Sequence, residues 1–96
     1  MSRPLEGRRA VVTGAATGLG AAAVRALTAA GAGVVATYRH TEPDDTADAT
    51  WLQCDARDAA AVNAMMDAAV SELGGLDVLI NAAGLSVLAL RQRSAP

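Results

Sequence analysis

The chain has 96 residues, enough for one small domain that buries roughly two-thirds of the surface its unfolded form exposes. Hydrophobic residues make up 52% and alanine alone supplies 24 positions, which excludes a disordered composition; with Tyr38 and Trp51 as the two aromatics, a core of Ala, Val and Leu asks helices to lie close against a sheet. A formal net charge of −2 argues for neither nucleic acid, nor an anionic membrane, nor a polyanionic partner, and the single Cys54 permits no disulfide within the chain.

Met1–Arg9 is polar and unlike a signal peptide, and the first apolar run, Ala10–Thr13, is short. No apolar stretch approaches the ~18–20 residues of a membrane span, so a cytoplasmic location is expected. Arg8–Thr13 reads as a buried strand centred on Val11 and Val12 and ending in a turn at Gly14. Leu19–Ala30 then carries Leu19, Ala23, Ala26, Leu27 and Ala30 at helical spacing, with Gly31 where a C-terminal glycine belongs. Gly33–Tyr38 is a second strand. Arg39–Ala49, polar with Pro43 and three aspartates, reads as a loop with at most one helical turn. Thr50–Cys54 is a third strand. From Asp58, a plausible N-cap, a helix runs to about Leu73 with Val62, Met65, Met66, Ala69, Val70 and Leu73 on one face, and Gly74-Gly75 ends it. Leu76–Asn81 is a fourth strand.

Strands alternating with helices predict an α/β chain with a parallel sheet, a partial Rossmann fold flanked by helices. The eleven residues between the second and third strands are close to the minimum for a parallel crossover.

Between the first strand and first helix lies Thr13-Gly14-Ala15-Ala16-Thr17-Gly18-Leu19-Gly20. Such a turn presents free N–H groups and the positive end of a helix dipole to an anion. Gly14 permits the tight turn, Gly18 lets the backbone approach a pyrophosphate, and Gly20 lets helix and strand pack closely. The Thr17 hydroxyl adds a donor for phosphate. The same residues also suit an ordinary glycine-rich connection.

The spacing Gly-x3-Gly-x-Gly resembles the TGxxxGxG turn of the short-chain dehydrogenase/reductase family. Asn81-Ala82-Ala83-Gly84 is similar to that family's Asn-Asn-Ala-Gly after the fourth strand, with Ala82 in place of the second Asn. The resemblance implies strand order 3-2-1-4, which sets Gly14, Thr17, Gly18, Leu19 and Gly20 beside Asn81, Ala82 and Gly84 at the sheet's switch point, where dinucleotides bind. It also implies that Asp55 accepts from the adenine amino group and that the backbone N–H of Ala56 contacts the ring; the alternative is that Asp55 merely starts the turn into the second helix. Cofactor choice is read at the end of the second strand, where Tyr38 stands at the usual acidic position and Arg39 follows. Arg39 can pair with a 2′-phosphate or stack on adenine, or it is a solvated loop residue. NADP is the expected cofactor, with NAD the alternative.

The family's catalysts are a Tyr-x-x-x-Lys pair and an upstream Ser, yet all eight basic residues of this chain are Arg. Tyr38 sits at the wrong end of the fold and Ser86 directly follows the NAAG segment, so neither is assigned a catalytic role. Asp77 reads as structural, Cys54 as a small buried residue, His40 as a lone loop imidazole, and nothing forms a metal cluster.

The expectation is an N-terminal dinucleotide-binding half-domain over residues 1–84 and an atypical tail over 85–96, with the fold truncated after the fourth strand, as in a frameshifted or prematurely terminated reading frame. On that reading the fourth strand has an unpaired edge, stability is marginal, and the helices that form the family's oligomers are missing. The family reaction is NAD(P)-dependent hydride transfer between an alcohol and a carbonyl. A non-catalytic dinucleotide-binding module and a non-functional remnant are the alternatives.

Overall fold

The structure, a computed structural model, describes residues 3–16, 18–40 and 48–82, and the backbone of 86–93. In chain order the elements are β1 (Arg9–Thr13), α1 (Gly18–Ala29), β2 (Gly33–Tyr38), β3 (Thr50–Gln53), α2 (Ala59–Leu73), β4 (Gly75–Asn81) and β5 (Ser86–Arg93). One sheet holds all five strands in the order β3-β2-β1-β4-β5, and its first four are mutually parallel, as the 3-2-1-4 reading requires.

Every strand of the sheet's centre is apolar on both faces, because a helix lies on each side. From β1 and β2, Ala10, Val12, Val34 and Ala36 face α1 and pack with Val24, while Val11 and Val35 face α2 and pack with Met65 and Ala69. In β4, Val78 and Ile80 lie against the first cluster and Leu76 and Leu79 against the second; Leu76 and Val78, two residues apart, fall on opposite sides across an irregularity in the strand. Continuous Val/Ile/Leu runs are the mark of parallel strands covered on both faces.

Both ends of α2 are closed as the sequence predicts. The Asp58 carboxylate accepts from the N–H groups of Ala60 and Ala61 at 3.0 and 3.2 Å, and the Gly74 N–H donates to the Val70 carbonyl at 2.8 Å. The inward face of α1 differs from the one expected. Gly20 and Val24 are buried, with Ala23 and Leu27 partly so, whereas Leu19 is 67% exposed and Ala26 is exposed. The helix turns Gly20, which has no side chain to accommodate, against the strand ends, and Leu19 beside it faces outward.

Asp77 ties the entry edges of β1 and β4. Its carboxylate accepts from the backbone N–H of Arg9 at 3.0 Å and from Arg9 Nε at 3.1 Å, while Arg9 Nη1 donates to the Gly74 carbonyl at 2.9 Å. Bonding to Arg9 holds this nearly buried carboxyl below the usual carboxylate range.

The expected bare edge of β4 is not found. β5 runs antiparallel along it, from Asn81 opposite Ser86 to Gly75 opposite Arg93, with an irregularity between Leu76 and Val78. The segment read as an atypical tail supplies this strand: only four residues separate Asn81 from Ser86, so a return in the antiparallel sense is the connection within reach. A strand edge with unpaired N–H and C=O groups is satisfied by whatever extended segment can lie beside it. The loop read over 39–49 falls largely on 41–47, outside the described residues, as do Thr17 and Gly84.

Candidate functional site

The C-terminal ends of the parallel strands converge on the glycine turn. Gly14 and Gly18 have φ of 63° and 59°, the left-handed region that costs a residue with a side chain about 1–2 kcal/mol. Open space surrounds Gly18: a Cβ built there meets nothing within 4 Å, so the backbone is bare on that side. Gly20 is the reverse. A Cβ there runs into the Gly14 carbonyl oxygen and stands 2.9 Å from Ala15 Cα and 3.0 Å from Ala82 Cβ. The first turn of α1 therefore rests on both the glycine turn and the segment after β4.

Those two segments are also joined by hydrogen bonds. Thr13 lies opposite Asn81 in the β1–β4 pairing, its hydroxyl donates to Asn81 Oδ1 at 3.1 Å, and the Ala82 N–H donates to the Thr13 carbonyl at 3.2 Å. Of the residues singled out in the sequence, Gly14, Gly18, Leu19, Gly20, Asn81 and Ala82 are thus brought together at one end of the sheet, and the exposed Leu19 stands on the helix's first turn.

Arg39, Asp55 and Ala56 form a second corner at the ends of β2 and β3. Gln53 Nε2 donates to the Arg39 carbonyl at 3.0 Å and the Cys54 N–H to the Tyr38 carbonyl at 2.8 Å, which fixes the two strand ends side by side. Arg39 Nε stands 3.7 Å from Asp55 Oδ2. The dominant partner of Asp55 is a residue sequence reasoning passed over, Arg57, whose backbone N–H and Nε donate to Oδ1 at 2.9 and 3.1 Å and whose Nη2 donates to Oδ2 at 3.0 Å. Hydrogen bonding by Arg57, with the charge of Arg39 behind it, drives the Asp55 carboxyl far below the usual carboxylate range. The signal was present in the two-residue spacing, since an aspartate commonly accepts from the backbone N–H two residues on.

Between the corners a cavity of about 230 Å³ opens, with Thr13, Thr37, Ala56 and Asn81 at the strand ends and Met65 and Met66 of α2 beneath. Cys54 also faces it. Burial first, then the nearby carboxylates of Asp55 and Asp58, push its thiol pKa up, which disfavours the thiolate. No cluster of three or more metal-binding side chains exists among the described residues, and no helix among them is long and apolar enough to cross a membrane.

Known proteins share this arrangement. The short chain dehydrogenase family model matches residues 8–95. The chain is 44% identical over 87 residues to cis-4-hydroxycyclohexanecarboxylate dehydrogenase of Sinomonas cyclohexanicum, covering 82% of this chain and 35% of that protein. It is 38% identical over 94 residues to D-threitol dehydrogenase of Mycolicibacterium smegmatis, covering 88% and 36%. Among solved structures, a short-chain dehydrogenase from Burkholderia cenocepacia in complex with NADP superposes with a TM-score of 0.75 at 35% identity, over 81% of this chain and 36% of that one. The chain thus spans about a third of the length of the relatives it matches. The chain belongs to the short-chain dehydrogenase/reductase family of NAD(P)-dependent oxidoreductases, corresponding to the N-terminal third of its members.

Proposed function

We propose that this chain binds the adenosine and pyrophosphate portions of NADP and serves as the cofactor-binding part of an alcohol–carbonyl oxidoreductase. The observation that carries the reading is the close approach at Gly20. It sets the N-terminus of α1, with its free N–H groups and positive dipole end, over the ends of β1 and β4, beside a backbone left open at Gly18.

The pyrophosphate lies along Gly14, Gly18, Leu19 and Gly20 with Asn81 and Ala82 beside it, and the family resemblance adds Thr17 and Gly84, which lie outside the described residues. The adenine ring enters the cavity mouth between Ala56 and Asn81, with its amino group toward Asp55. Arg39 takes the 2′-phosphate, a charge-assisted pairing that no carboxylate at position 38 opposes, since that residue is Tyr. The Burkholderia cenocepacia relative, a complex with NADP, supports this choice over NAD. The bound nicotinamide would supply the hydride; the residues of this chain bind and orient the other end. No proton-transfer role is assigned to Tyr38 at the end of β2 or to Ser86 at the start of β5.

Titration with NADPH, NADH and ATP tests the reading. NADPH should bind on the order of micromolar and more tightly than NADH, and Arg39→Ala should erase that difference. Absence of binding to all three ligands would overturn the proposal.

A further inference from the structure

The acceptor positions of Asp55 are unevenly shared. A carboxylate offers roughly four lone-pair sites. Arg57 alone fills three of them, at 2.9, 3.1 and 3.0 Å, while Arg39 Nε stays at 3.7 Å, too far for a hydrogen bond. Both guanidinium groups address Oδ2. Among the described residues Asp55 is the one carboxylate that either of them pairs with, the nearby Asp58 being engaged at the N-cap of α2.

Two cations on one carboxylate compete. Remove Arg57 and Asp55 regains the positions with which it can draw Arg39 into a close, two-pronged pair, the geometry arginine and carboxylate favour. Arg39 would then be neutralised and turned away from any other anion. With Arg57 in place, the carboxylate is largely satisfied, and Arg39, its side chain 45% exposed, stands near it with its charge available.

We infer that Arg57 is a specificity-determining residue: by occupying Asp55 it keeps Arg39 free for an anionic group on the ligand's ribose, and so sets the preference for a 2′-phosphorylated adenine dinucleotide over its unphosphorylated counterpart. The inference rests on the reading that this corner receives the adenosine end of the cofactor. Arg57 acts through Asp55 and needs no phosphate contact of its own. Its side chain is 69% exposed, so its removal leaves the core untouched.

The test measures NADPH and NADH dissociation constants for the wild-type chain, Arg57→Ala, Arg39→Ala and the double variant. Arg57→Ala should weaken NADPH about tenfold, the usual scale for losing a hydrogen bond to a charged group, and leave NADH binding unchanged. In the Arg39→Ala background the same substitution should do nothing further. An unchanged NADPH-to-NADH ratio in Arg57→Ala overturns the inference, as does an equal loss of NADPH affinity with and without Arg39, which would mean that Arg57 meets the phosphate itself. Carbon-13 NMR titration of the Asp55 carboxyl gives a ligand-free readout. In Arg57→Ala its midpoint should stay below the ordinary carboxylate range because Arg39 moves in, and it should rise to that range only in the double variant. A return to the ordinary range in Arg57→Ala alone overturns the handover. Should the wild-type chain bind neither dinucleotide, the reading of the site fails by that result, and the carboxyl titration still decides whether Arg39 replaces Arg57.

Discussion

Replacing a hydrogen of Gly20 with a methyl group sets a Cβ against the Gly14 carbonyl oxygen, Ala15 Cα and Ala82 Cβ at once, and two of those three neighbours are backbone atoms that cannot swing aside. Alanine favours a helix over glycine by about 1 kcal/mol, but overpacking of this kind costs about 1–3 kcal/mol, so Gly20→Ala should destabilise on balance and move α1 off the sheet. Gly18→Ala is the contrasting case. Its Cβ meets nothing, and the substitution carries the left-handed backbone cost of about 1–2 kcal/mol while placing a methyl group where the ligand's anion would lie. Urea melts and NADPH titration check both: each substitution should lower stability and weaken NADPH binding, Gly20→Ala by moving α1 off the sheet and Gly18→Ala by straining the turn and filling the space at its backbone. Equal, unimpaired binding by both would remove the glycine turn from the site. Glycines at such positions were legible in the sequence because only one residue type meets the demand. Arg57 was legible only in part: its two-residue spacing from Asp55 announces the backbone N–H contact, but an arginine's identity does not say which carboxylate its guanidinium reaches.

At the level of elements, α2 shows how far local chemistry fixes a boundary. Asp58 accepts two of the helix's otherwise unpartnered N–H groups, and the apolar face from Val62 to Leu73 docks on Val11, Val35 and Leu76. Asp58→Ala should cost about 1 kcal/mol, which for a domain of this size lowers Tm by roughly 4–8 °C. Circular dichroism melts check it, and an unchanged Tm would show that the cap contributes nothing. The helix α1 was less legible. Its stretch is so rich in alanine that several faces satisfy helical spacing, and hydrophobic periodicity alone cannot prefer the face of Gly20, Ala23, Val24 and Leu27 over that of Leu19, Ala23 and Ala26. Close packing decides it, since the face with the smallest side chain at its first turn approaches the strand ends most nearly.

Across the whole molecule, strand pairing reaches from β3 at one edge to β5 at the other, and the pairing of β5 along the outer edge of β4 is the feature sequence reading missed. The parallel core was legible because β1, β2 and β4 are apolar runs separated by helical segments. The pairing of Ser86–Arg93 was not, because alternation is weak in SVLALRQR and an antiparallel return depends on which edge lies within reach. The consequence is measurable in amide exchange. In β4 the amides alternate between the β1 side and the β5 side, and with partners on both sides the two sets should exchange slowly, at rates like those of β1. Among the described residues β3 has a neighbour on one side only, so the amides on its outer side should exchange quickly. If instead every second amide of β4 exchanged as fast as those outer amides of β3, β5 would not be paired in solution. β4 would then be a sheet edge, leaving a row of N–H and C=O groups as a template for association between chains. The same measurement at increasing protein concentration distinguishes the outcomes, because protection supplied by β5 is independent of concentration and protection supplied by another chain grows with it.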